Sequence, residues 1–233
     1  MWRPPWTCCP KNVRNVISLR FFSTIHDTRT RQRLRELLRH TAQPVAVVTS
    51  LLRSKKDGHP YHGATLSSFA SIAMDPYPLI SFALRIPSRM ASSLKAASPD
   101  ENSHMVVNIL SAEQASVAVK FSRADLYPQP FHSVPYTLSE EGIPVLEGSL
   151  GAISCKLASD AIPLHEMVSL EEQSLGREGV PHSENMVVSE LFIARVTRVE
   201  ALDMGDADEE HPRTLPLLYH RRGYTSCYPP KPK

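Results

Sequence analysis

Apolar positions along this chain gather in short rhythmic stretches separated by prolines and polar turns, and the stretches predict a mostly β protein. Thr30 to His40 sets Leu34, Leu37 and Leu38 at helical spacing among Arg31, Arg33, Arg35 and Arg39, a short amphipathic helix with a solvated basic face. Pro44 to Leu51 is a β-branched run, and the polar turn Arg53 to Pro60, with Lys55-Lys56-Asp57-Gly58, returns it as an antiparallel strand over His62 to Phe69. After the breaker Asp75-Pro76-Tyr77-Pro78, Leu79 to Leu84 predicts a third strand. Pro87-Ser88-Arg89 opens a helix with its body over Met90 to Ala97, ended by Ser98-Pro99. His104 to Leu110 reads as a fourth strand and Ser111 to Phe121 as a second helix.

The second half is less regular. Tyr127 to Pro135 is a loop of prolines and aromatics, and strand character returns in Leu150 to Ala158, Val187 to Leu202 and Pro216 to His220. The segment 163–186 has little period and reads as a solvated insertion, and the acidic stretch Asp203 to Glu210 as a surface loop. Several strands, a few short helices and no βαβ rhythm predict a mainly β architecture, an antiparallel barrel with appended helices.

Charge changes the picture at the N-terminus. Residues 1–22 hold Arg3, Lys11, Arg14 and Arg20, and the first acid is Asp27, the composition of a mitochondrial transit peptide. Arg20-Phe21-Phe22-Ser23 resembles a matrix-protease processing site, so the expected location is the mitochondrial matrix. The whole chain carries a formal +2, which leaves the rest near −2 once those four cations are set aside. A body so close to neutral argues against general nucleic-acid binding, which needs clustered cations to neutralise phosphates. No run approaches eighteen apolar residues, so no membrane span is expected. The expected organisation is a transit peptide at 1–22, a helical extension at 23–39, one domain at 40–224 and a proline-rich tail at 225–233.

Candidate chemistry is sparse. Gly-x-Ser-x-Gly, phosphate-loop and Gly-x-Gly-x-x-Gly signatures are absent, and His59 and His62 sit three apart on a predicted turn with no third ligand nearby, so no metal is expected. Thr65-Leu66-Ser67-Ser68-Phe69 places hydroxyls at alternate positions of a strand, with Gly63 allowing close backbone approach just before them. Hydroxyls and backbone on a strand suit the polar edge of a flavin ring. Ser88-Arg89, opening a helix, suits a phosphate, although Ser88 also has the ordinary role of an N-cap.

Order and spacing add a resemblance. Pro44-Val45-Ala46-Val47-Val48-Thr49, Gly63 to Pro76, Ser81-Phe82-Ala83, Ser88-Arg89, Val106-Val107-Asn108-Ile109-Leu110, Pro144 to Gly148 and Pro216 to Tyr224 together resemble the flavin reductase-like family. The resemblance implies an FMN-binding split β-barrel that works as a homodimer, binds FMN or FAD, and transfers hydride from NADH or NADPH to flavin. It implies Thr65, Leu66, Ser67 and Ser68 at the ring and ribityl chain, Ser81, Phe82 and Ala83 nearby, and Ser88 and Arg89 on the phosphate. His220 and Tyr224 become candidates for the nicotinamide side. Many members carry Gly-Asp-His before the penultimate strand, where Val187-Val188-Ser189 stands here, so an alternative is a non-catalytic flavin-binding module serving another mitochondrial protein.

Overall fold

The computed structural model describes residues 28–52, 60–164, 188–200 and 211–227. These fall into two units divided between Thr41 and Ala42. The first contains helix α1, residues 28–38, along which Gln32 Nε2 donates to Glu36 Oε1 one turn on at 3.2 Å. Leu34, Leu37 and Leu38 of α1 are exposed.

The second unit is built on a strongly curled antiparallel sheet. Its strands are β2 (Ala46–Leu51), β3 (Tyr61–Leu66), β4 (Ala70–Ala73), β5 (Leu79–Ile86), β6 (Met105–Ile109), β9 (Gly151–Leu157), β10 (Ile162–Pro163) and β11 (Val188–Glu200). The order is β3-β2-β6-β9-β11-β5-β4, with β10 on β11. The outermost strands β3 and β4 are consecutive in the chain and joined only by Ser67–Phe69. Two edges held three residues apart oblige the sheet to curl, and residue types follow the curl. Ala46, Val48, Leu66, Phe82, Leu84, Met105, Phe192 and Ala194 fill the interior. There Phe82 and Phe192, partners in the β5–β11 register, stack with centroids 5.5 Å apart.

Strand β2 is buried on both faces, which explains its unbroken apolar run: Ala46 and Val48 face the interior, whereas Val45 and Val47 enter a second core outside the barrel. Helix α3 (Ala115–Ser122) covers that outer core. So does a three-stranded sheet of β1 (Gln43–Pro44), β12 (Leu218–His220) and β13 (Gly223–Thr225), through Leu217 and Tyr224. A two-stranded ribbon, β7 (Tyr136–Leu138) and β8 (Pro144–Leu146), completes the body. Fully buried Asn108 ties the ribbon to the barrel: its Nδ2 donates to Val47 O at 3.1 Å and its Oδ1 accepts from Leu146 N at 2.8 Å. On the far side Arg198 of β11 clasps Glu141 at 2.7 Å and Glu200 at 2.9 Å, and the guanidinium holds the Glu141 carboxyl below its ordinary pKa.

Several boundaries differ from the sequence expectation. The second predicted strand stops at Leu66, because Ser67–Phe69 must cross to β4, itself unforeseen. Helix α2 (Arg89–Lys95) has only seven residues, and α3 begins at Ala115 after a 3-10 turn over Ala112–Gln114. Ile162–Pro163, at the start of the predicted insertion, is strand β10, paired with Leu191 and Glu190. The remainder of the insertion, the acidic stretch, most of the proline-rich tail and the predicted transit peptide lie outside the described residues.

Candidate functional site

Strand β3 organises the predicted site, and its two ends differ. At the Leu66 end the hydroxyls are engaged by the fold. Thr65 Oγ1 donates to Ala118 O of α3 at 2.7 Å. Ser68 Oγ accepts from Ala83 N at 2.9 Å and donates to Ala83 O at 3.2 Å, which fastens the crossover between the two edge strands onto β5. The structure thus brings Ser68 and Ala83 into direct contact, with Ser81 two residues away on the same outward face of β5 and paired to Ala70. Ser67 is exposed at the crossover. Leu66 and Phe82 point the other way: their side chains are buried in the barrel interior, so any contact they make with a ligand runs through the backbone. Strand periodicity requires this opposition, since neighbours on a strand face opposite sides.

Gly63 has a role the sequence did not suggest. A Cβ there would sit 2.5 Å from Cε1 and 2.6 Å from Cδ1 of Phe121. The close approach that the glycine permits is by an aromatic ring of α3.

The Tyr61 end of β3 opens into a cleft of about 290 Å³. Its walls are aromatic and proline-rich, with Tyr61, Phe121, Tyr127, Phe131 and Tyr136 prominent. Four of these rings form an edge-to-face network, with Phe131 5.0 Å from Phe121, 5.8 Å from Tyr61 and 5.5 Å from Tyr136. Arg89 and Lys120 line the same cleft, and among the described residues no carboxylate does; the turn 53–59 between Leu52 and Pro60 of the cleft wall lies outside them. Lys120 Nζ reaches Ser133 O at 3.2 Å. Ser88 caps α2 by accepting from Ala91 N at 3.3 Å, the ordinary role anticipated for it. Because α2 is only two turns long, an anion in this cleft would be held by the Arg89 and Lys120 side chains more than by a helix terminus. Lys120 and the ring network were missed in the sequence because Tyr127 to Pro135 read only as a loop; its density of proline and aromatic residues was the available signal.

His220 and Tyr224 stand on the β12–β13 hairpin, where Tyr219 and Tyr224 are cross-strand partners with rings 5.6 Å apart. The Tyr224 phenol is pushed up in pKa by burial and hydrogen-bonds Ser122 at the end of α3. Helix α3 therefore holds both Thr65 and Tyr224. The turn of this hairpin is Arg221-Arg222, both with positive φ (50° and 68°), a conformation that favours glycine. Val188 and Ser189, at two of the positions of the Gly-Asp-His motif, pair with Ile86 and Arg85 of β5. The neighbouring Glu190 meets Lys95 of α2 at 2.9 Å.

Comparison with known proteins decides the family. The model of the flavin reductase like domain matches residues 38–228. The chain belongs to this family. Among curated relatives, it is 33% identical over 97 residues to the FMN reductase (NADH) SmoA of Agrobacterium fabrum, covering 42% of this chain and 51% of that protein. It is 32% identical over 128 residues to the flavin-dependent monooxygenase reductase subunit HsaB of Rhodococcus jostii, covering 55% and 59%. The matched region thus spans between half and three fifths of these relatives' length. Among solved structures, a flavin reductase domain protein from Arthrobacter sp. FB24 aligns with a TM-score of 0.61 at 18% identity, over 87% of this chain and 99% of the other. The styrene monooxygenase flavin reductase of Pseudomonas putida S12 aligns at 0.59 and 22% identity, over 84% and 99%. These similarities establish the flavin reductase split-barrel fold.

The residues present fit a flavin. Its phosphate end needs cations, which Arg89 and Lys120 supply, and a polar ring edge needs exposed backbone and hydroxyl groups, which Ser67 at the crossover supplies.

Proposed function

We propose that this chain is an FMN- or FAD-binding oxidoreductase that passes hydride from NADH or NADPH to flavin. The observation that carries the reading is β3, with a polar crossover at one end and an aromatic cleft holding Arg89 and Lys120 at the other. In this reading Ser67, Ser68, Ser81 and the backbone of Leu66, Phe82 and Ala83 border the ring, and Thr65 orients the strand by its bond to α3. Arg89, with Lys120, neutralises phosphate. His220 and Tyr224 flank the nicotinamide side. When bound, the flavin supplies the two-electron chemistry, so the protein has to position its two ligands and exclude water; no protein acid or base is required for hydride transfer.

Names among the relatives, FMN reductase (NADH) and flavin-dependent monooxygenase reductase subunit, favour catalysis over a purely structural flavin-binding module. A homodimer is supported by exposed Ile72, Met74 and Tyr77 on and beside edge strand β4, the ring of Tyr77 lying 4.0 Å from the Arg195 guanidinium. The acid-free residues 1–22 support a matrix location. The deciding experiment is anaerobic titration of flavin-loaded protein with NADH and with NADPH, following flavin absorbance. Bleaching by either is expected; a yellow protein that neither donor bleaches overturns the catalytic reading and leaves only flavin binding.

A further inference from the structure

We propose that α1 is an interfacial helix that lays its leucine stripe into the surface of a membrane rich in acidic phospholipids. Every residue from 28 to 42 is exposed, and Leu34, Leu37 and Leu38 keep 51%, 64% and 44% of their surfaces in water. At about 3.6 residues per turn these three side chains fall within an arc of about 100°, with Thr30 on the same face. Arg33 borders one edge of the arc and Arg31 the other, while Gln32, Glu36 and Arg39 lie opposite. Between residues 29 and 39 stand five arginines and one acid, Glu36, whose Oε1 accepts from Gln32 at 3.2 Å.

Charge and shape together select the occupant. A membrane interface offers hydrocarbon to the leucines directly beneath phosphates for the arginines, and an arginine beside an apolar stripe reaches that phosphate layer with its stem along the acyl boundary. Three leucines bury too little surface to hold a helix on a neutral bilayer, so the arginines require an anionic one. A nucleic acid would satisfy the arginines and leave the leucines in water. A second copy of α1 would cover the leucines but set Arg31 and Arg33 against like charges along both edges of the contact. At about 16 Å, α1 is about half as long as the hydrocarbon core is thick, so it lies in the plane of the surface. Among the described residues no helix is long and apolar enough to cross a membrane.

Partition of the full chain onto vesicles of phosphatidylcholine, with and without phosphatidylglycerol, is to be measured by co-sedimentation at low and high salt. The chains compared are the wild type, Leu34→Gln/Leu37→Gln and Arg31→Gln/Arg33→Gln. Residues 1–22 are also basic but identical in all three, so differences among them report α1. We expect the leucine variant to bind acidic vesicles at least about tenfold more weakly than the wild type at either salt concentration, as two side chains lose their place in hydrocarbon. The arginine variant should lose about twentyfold at low salt, near fivefold for each charge, and much less at high salt. Both variants should melt as the wild type does, which separates weaker partition from unfolding. Equal partition of the wild type and the leucine variant overturns the inference, since attraction of charge alone would then account for binding. Polyuridylate bound more tightly than acidic vesicles, with the arginines needed and the leucines not, overturns it in favour of a nucleic acid. A leucine variant that sediments as a smaller oligomer than the wild type overturns it in favour of a subunit contact.

Discussion

The two ends of β3 carry comparable numbers of polar groups but use them differently. At the crossover, Thr65 and Ser68 direct their hydroxyls into the protein, to Ala118 of α3 and to Ala83 of β5, and so dock the helix on the sheet and fasten the crossover to β5. At the cleft, Arg89 and Lys120 share a concave surface with no acid among the described residues that line it, behind a wall of rings braced against one another. Hydroxyls on a strand are therefore an ambiguous signal: the same residues that suit a flavin edge also suit internal bonds of the fold, and here Thr65 and Ser68 serve the fold. A pair of cations on one concave wall, with no carboxylate among the described residues around them, is less ambiguous, because folding alone gives little reason to gather them.

The contrast is most strongly tested at Gly63, where the ends meet. Gly63→Val would drive side-chain atoms into the Phe121 ring, 2.5 Å from the would-be Cβ. A loss of about 3 kcal/mol is expected, or roughly 6–12 °C in Tm for a domain of this size, and adding Phe121→Leu should restore part of it. An unchanged melting curve would mean that the ring does not set the glycine requirement. Arg89→Ala should divide binding from stability. Flavin affinity should fall by at least about tenfold, as for a lost charge-assisted bond, while stability moves by less than about 0.5 kcal/mol. Titration and urea unfolding on the same samples would show a reversed pattern if Arg89 were structural.

Smaller effects should divide the other way at the crossover. Thr65→Val and Ser68→Ala should each remove about 1 kcal/mol of stability through the lost bonds to Ala118 and Ala83. Loss of flavin affinity without loss of stability in either variant would assign that hydroxyl to the ligand. The smallest change is expected away from both ends. Arg222→Gly relieves a positive φ in the β12–β13 turn and should raise stability by about 0.5–1 kcal/mol, net of the extra freedom of glycine in the unfolded chain. A lowered Tm would show that contacts of the Arg222 side chain outweigh the backbone strain.

What the chain alone determined was local. The apolar run Val45–Val48 announced a strand, the breakers at Pro76 and Pro87 bounded β5, and the succession of these blocks carried the family resemblance that the match over residues 38–228 establishes. These features depend on near neighbours, which periodicity reports directly. Closure of the sheet was left to tertiary structure, since pairing across β3, β4 and β5 depends on how far the whole sheet curls, and only that curl brings Ser68 to Ala83. The Gly63–Phe121 contact and the cleft were likewise unreadable: Tyr61, Arg89, Lys120 and Phe131 lie as much as seventy residues apart, and no spacing rule links residues that meet only when a helix and a proline-rich loop pack over the end of a strand. The identity of the binding groups was written locally; their charge balance and shape were decided by packing.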